Sequence, residues 1–237
     1  MSQEIKDIIL AAHEHGERPN LGHRDLRGLQ LQNYNLNIVD FSGSNLSGAD
    51  LSGSDLSYAN LDGSILKGTN LMWTNLSSAH LNKADLDGAI LDHADLSAAS
   101  LKGTEARRAS FKSAYLRAAD LARADFSGAI LTECNLAGIR AMGSNFTKAD
   151  FTQACLDNAN LSGTILESAI LFKASLIRSD LTRSDLSRAN LESADFTEAD
   201  LWLAVLAGAN IRSTQFSDAT LPNGKRKGLF NSPKKFI

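Results

Sequence analysis

The chain has 237 residues, 43% of them apolar and 22% charged, with a net charge of −3. That is the balance of a folded chain and excludes a disordered or collagen-like one. The charge is too small to announce a nucleic-acid binder, and aromatic residues at 6% leave little for ring-lined pockets.

The first residues, Met1–Asp7, carry acids where a signal peptide carries bases, so secretion is disfavoured and the cytoplasm is the expected setting. Residues 2–15 predict a short helix. Ser2 can cap it, Ile5, Ile8, Ile9 and Ala12 fall on one face, Gly16 stops it and Pro19 comes next. Residues 1–20 are therefore expected to cap one end of a longer repeat region; a partner-binding helix is the alternative.

From Leu21 to Leu221 an apolar residue recurs every five positions. Of these 41 centres, 31 are Leu and 7 are Phe, and the frame never slips. The position two before each centre is small from Ser44 onward, with Ile139 the one large residue. The position just before the centre is Asp or Asn at 24 of the 41 sites. A period of five fits neither a helix nor a strand. It fits a chain that turns a corner every five residues, with the centre and the small residue inside and four corners closing a coil of 20. Asp and Asn suit the corners, because their side chains bond nearby backbone. Coils stacked at strand spacing predict about ten turns and a rod of roughly 48 Å.

Four residues of the first coil, Arg24, Leu29, Tyr34 and Val39, occupy positions that are small elsewhere, which predicts a widened mouth under the helix. Ile139 and Ala141 reverse the usual sizes within one pentapeptide, and Ala106 lies near Phe111 and Phe126. Both exceptions predict repacking.

Along one face of the square, Met72, Trp73, Ile90, Ile130, Ile170 and Phe172 take corner or outward positions. The isoleucines either fold inward or join Trp73 and Phe172 in an apolar stripe suited to a protein partner. The cations Lys102, Arg107, Arg108, Lys112 and Arg117 circle one coil, and Lys173, Arg178, Arg183 and Arg188 another. These are belts, whereas a duplex lying along the rod needs a stripe, so direct nucleic-acid binding is disfavoured.

No phosphate-binding loop, nucleophile elbow or paired CxxC occurs, and the corner aspartates read as turn residues, so neither catalysis, a cofactor nor a metal is expected. His80 and His93 fall on opposite faces. Cys134 points in and Cys155 out, which disfavours a disulfide. The longest wholly apolar run, Leu201–Ala207, is far short of the roughly 20 residues of a membrane helix. Within it Trp202, Leu203 and Val205 take outward positions. With Leu229 and Phe230 of the basic tail, 222–237, they form a candidate C-terminal cap or homodimer contact.

Units such as Ala49-Asp50-Leu51-Ser52-Gly53 resemble the pentapeptide-repeat family over residues 21–221. The resemblance implies an all-β solenoid, a right-handed quadrilateral β-helix. It implies no single activity, since a fold does not set a function. The expected function is a rigid, non-catalytic scaffold or protein-interaction module. The alternative that the resemblance supplies is a DNA-mimicking inhibitor or protector of DNA gyrase, as in the family's quinolone-resistance members. Two features oppose it. The two outermost positions of the repeat carry 15 bases against 9 acids, and the unbroken frame leaves no room for the inserted loops many of those members carry.

Overall fold

Each pentapeptide turns its corner with one set of hydrogen bonds, seen clearly at Leu46. Its amide donates to the Ile65 carbonyl one coil on (2.7 Å), the Gly48 amide donates to Lys67 (2.9 Å), and the Asn45 amide donates back to Arg24 (2.9 Å). The Ala49 amide then closes the turn on the Leu46 carbonyl (2.9 Å). Repeated through the computed structural model, which describes residues 2–226, these bonds build a continuous four-sided β-helix. Parallel bridges join residues 20 apart from Asn20↔Asp40 to Asp200↔Thr220. Four faces result. Face A holds the centres Leu21, Phe41, Leu61 and onward in steps of one coil to Leu221; faces B, C and D begin at Leu26, Leu31 and Leu36.

The corners owe their shape to Asp and Asn. At all 24 such corner sites the side-chain Oδ1 accepts the amide two residues on, within 2.9–3.3 Å. Four other corners borrow an acceptor from the coil before. The amides of Asn82, Lys102, Lys112 and Ile177 donate to Asp62, Asn82, Asp92 and Asp157. Every residue two after a centre, from His23 to Asp218, has a positive φ. Glycine is required in this column only where a neighbour claims the space. A Cβ on Gly43 would stand 2.5 Å from the His23 ring, which lies across it.

Inside, the centres from Leu21 to Leu201 are almost wholly shielded from solvent, and the small column packs between them. Buried hydroxyls in that column are satisfied by backbone: Ser44 and Thr69 donate to the carbonyls of Phe41 and Leu46. The exceptions repack as expected. Ile139 and Ala141 are both fully buried. Four rings, Phe111, Phe126, Phe146 and Phe151, stand 5.2–5.5 Å apart in a chain beside Ala106. Cys134 fills a small site, donating to the Phe111 carbonyl, and burial pushes its thiol up to about 12. Both cysteines are free.

Helix α1 (Ser2–Glu14) lies over the first coil. Ile5 and Ile9 are buried, with Ile8 packed beside them, and Leu29 and Val39 rise to meet that face with Tyr34 half-buried. The Lys6 ammonium sits 5.6 Å over the Tyr34 ring. Arg24, expected with this group, is exposed instead; a guanidinium in an apolar mouth would lack a partner.

Leu91→Lys places an unpaired charge at a fully buried centre and is expected to cost roughly 4 kcal/mol, read as a fall in Tm. Deleting 101–120 removes one whole coil and is expected to leave a folded rod, whereas deleting 101–103 turns every later centre out of the core and is expected to abolish cooperative melting. Thiol labelling at pH 8 is expected to modify Cys134 only at the rate at which its coils open, so denaturant should accelerate it steeply.

Candidate functional site

The six residues of the expected apolar stripe all lie on face C. Trp73 is 62% exposed, Ile90 39% and Ile170 38%, while Met72, Ile130 and Phe172 are half-buried. The isoleucines therefore neither fold into the core nor make a continuous band. Ser110 and Asp150 alternate with them in the ladder Ile90–Ser110–Ile130–Asp150–Ile170. Trp73 and Phe172 are separated by five coils, about 24 Å at strand spacing. Face C thus offers two aromatic spots. At one, the Trp73 ring stacks on His93 with centroids 4.0 Å apart and planes 9° from parallel. At the other, the Lys173 ammonium stands 5.1 Å over the Phe172 ring. His93 lies 20 residues after Trp73, so a step of one coil along the sequence reveals the stack where a step of five does not.

At the C-terminal end Trp202, Leu203 and Val205 are 44%, 49% and 48% exposed. Trp202 is nevertheless held in place. The Arg183 guanidinium lies 5.8 Å from its ring, and Gly224, which lacks a side chain, also lies against it. The chain folds back here: the Leu221 amide donates to Lys225, Thr220 pairs antiparallel with Arg226, and Arg226 Nε donates to the Asp218 carbonyl. Leu229 and Phe230 lie outside the described residues.

Two surface hollows lie on face A. One is lined by Asn82, Lys83, Lys102, Gly103 and Arg123, another by Ser162, Gly163, Thr182, Arg183 and Trp202. A third, lined by Arg18, Tyr58, Asn60, Asp62, Ser78 and His80, sits where faces D and A meet. Through the first runs an axial charge pattern that a view around the belts passes over. Four consecutive coils of face A present Lys83, Lys102, Arg123 and Arg140. One acid, Asp120, stands among them, held by Lys102 at 3.2 Å and Arg140 at 2.7 Å. Burial alone would raise the Asp120 carboxyl; the Ala122 amide and the two cations outweigh it and hold it below the usual carboxylate range. On face B the balance differs: Lys67, Arg107 and Arg108 are already paired with Asp85 and Asp87.

Among the described residues no group of three or more His, Cys, Asp or Glu is placed to hold a metal ion, and no helix is long and apolar enough to cross a membrane. His13 Nε2 is buried under α1 without a hydrogen-bond partner among the described residues.

Comparison with known proteins places this geometry. The pentapeptide repeats family, in 8 copies, matches residues 35–71, 69–105, 109–147, 144–183 and 184–221. No curated protein matches the chain. Among solved structures it is similar to HetL from the cyanobacterium Nostoc sp., a pentapeptide repeat protein involved in heterocyst differentiation regulation. The two are 31% identical, with 92% of this chain and 98% of HetL covered and a TM-score of 0.53. A pentapeptide repeat protein from the cyanobacterium Cyanothece is 28% identical, covering 59% of this chain and 93% of its own, with a TM-score of 0.37. Full-length QnrB1, a plasmid-mediated fluoroquinolone resistance protein, is 21% identical over 81% and 92% of the two chains, with a TM-score of 0.32. Repeats matched from residue 35 to residue 221, on a right-handed quadrilateral β-helix, establish that the chain belongs to the pentapeptide repeat family.

Proposed function

We propose that this chain is a rigid, non-catalytic interaction scaffold that works in the cytoplasm by presenting fixed side chains to a protein partner. One observation carries the reading: Trp73, a large aromatic with 62% of its surface in solvent, is stacked flat on the His93 ring. An exposed aromatic positioned by a neighbouring ring is the kind of anchor that supplies binding energy at interfaces. The likeness to HetL is in keeping with a regulatory rather than a chemical role. Trp202, Leu203 and Val205 offer a further surface, suited to a second copy of the chain.

The gyrase reading is weaker. A DNA mimic presents acids along its length, whereas the middle of face A presents Lys83, Lys102, Arg123 and Arg140 against Asp120 alone. Likeness to QnrB1, at 21% identity and a TM-score of 0.32, adds nothing to it.

The test has two arms. Trp73→Ala with Phe172→Ala is expected to change Tm by less than about 3 °C, because both rings stand outside the buried column. The same double variant is expected to lose a partner identified by affinity capture from the native cell and then retested as a purified protein. In a supercoiling assay the wild-type chain is expected neither to inhibit DNA gyrase nor to shield it from a quinolone. Inhibition or shielding at stoichiometric concentration would establish the gyrase reading instead.

A further inference from the structure

We propose that the cationic strip of face A is a docking site for an acidic, extended segment of a partner protein. The inference rests on the scaffold reading and names the chemistry of one of its partners. Three observations carry it.

The first is unspent charge. Asp120 is shared by Lys102 and Arg140, which leaves that trio with one net positive charge. Lys83 and Arg123 have no ion-pair partner among the described residues, so the strip has a net charge of +3. On the neighbouring face B the cations Lys67, Arg107 and Arg108 are engaged by Asp85, Asp87 and Glu105.

The second is shape. Lys83 and Arg123 occupy the same column two coils apart, and the residue between them is Gly103. The Lys83 stem lies along that column, its Cγ 3.8 Å from where a Gly103 Cβ would stand, and the Arg123 stem lies likewise over Gly143 at 3.9 Å. The result is a hollow with a bare backbone floor and cations along its wall. Asn82 forms another wall and is fully used in structure: it donates to Asp62 and accepts from Ser100 and from the Lys102 amide. Its role is to fix the rim.

The third is length and boundary. Four coils at strand spacing span about 14 Å, the reach of four or five residues of extended chain. Asp62 stands beyond one end, and beyond the other the next coil of the face, with Asn160, Ser162 and Gly163, carries no charge. A duplex carries a charge every 1.7 Å or so and gains affinity by contacting many phosphates along a track; an acid at one end and an uncharged coil at the other cut such a track short. A short peptide with three or four carboxylates matches both the charge and the span. Such complementarity sets the rate and register of encounter more than its final strength.

The experiment measures fluorescence anisotropy of a fluorescein-labelled deca-glutamate peptide titrated with the full chain at low salt. Saturable binding is expected, weakening by about tenfold or more as salt rises to physiological strength. Lys83→Glu with Arg123→Glu is expected to abolish it, and the milder Lys83→Gln with Arg123→Gln to weaken it about tenfold. Arg178→Glu with Arg188→Glu makes the same change in net charge on faces D and B and is expected to bind as wild type. The proposal is overturned by absence of saturable binding, by equal loss in both charge-reversed variants, or by tighter binding of a 20-base-pair duplex through Lys83 and Arg123. A negative result here together with a positive Trp73 result would remove the acidic partner and leave the scaffold reading standing.

Discussion

The hydrogen bond that the amide two residues on donates to a corner Asp or Asn is the interaction on which the other features of the rod depend. A chain that turns every five residues exposes, at each corner, an amide that meets no backbone carbonyl of a neighbouring coil. Left in a half-buried corner, that amide would cost about as much as a lost hydrogen bond. The Oδ1 of an Asp or Asn two positions earlier meets it without any long-range partner, so each pentapeptide that carries one satisfies its own corner. Where Asp or Asn is missing, four corners meet the need from the coil before. At Ser100, Ser110 and Ser175 the acceptor comes from Asn82, Asp92 and Asp157 in the coil before, and each serine hydroxyl bonds that same acceptor.

Once corners close locally, the interior has no freedom left. Twenty-seven non-glycine residues hold a positive φ at the second turn position, although that conformation is disfavoured by roughly 1–2 kcal/mol for a side-chain-bearing residue. The coil-to-coil bonds at every corner override the preference. The same rigidity makes the inside narrow, which is why the residue two before each centre is small and why Ile139 and Ala141 exchange sizes together. It also explains the side-chain order outside. A side chain in the left-handed column leans onto the position one coil later, so His23 lies over Gly43 and Trp73 lies on His93.

The five-residue frame, the inward centres, the corner role of Asp and Asn and the widened first coil were all legible in the residues, because each is a contact between positions at fixed short spacing. What escaped was lateral. Stepping by five travels around the rod and shows Lys102, Arg107, Lys112 and Arg117 as a belt. Stepping by 20 travels along it and shows Lys83, Lys102, Arg123 and Arg140 as a strip. The Trp73–His93 stack and the borrowed acceptors Asp62 and Asp92 are likewise one coil apart, and hence visible only in the longer step. Arg24 escaped for a different reason: position alone placed it inward, while the cost of burying its charge turned it out.

Because side chains stand on a grid fixed by backbone bonds, the surface of the rod can differ sharply between neighbouring faces without any change in fold. In the middle coils of face B the aspartates that close a corner or sit outside it also meet a cation, as Asp85 meets Lys67 and Asp87 meets Arg107. For each of these cations the hydrogen bond it donates to the carboxylate is the first reason its pKa rises. Face A carries cations in the same stretch of the rod but puts His80, Ser100 and Arg140 in the corner column and Asn82, Ala122 and Met142 in the column just outside it, where face B has Asp85, Asp125 and Asp87. The charge imbalance is therefore written in which outward residues are absent as much as in which are present. The absence of acids from two outward columns, free of consequence for the core, is enough to convert a self-neutralised wall into one that asks for an anionic partner.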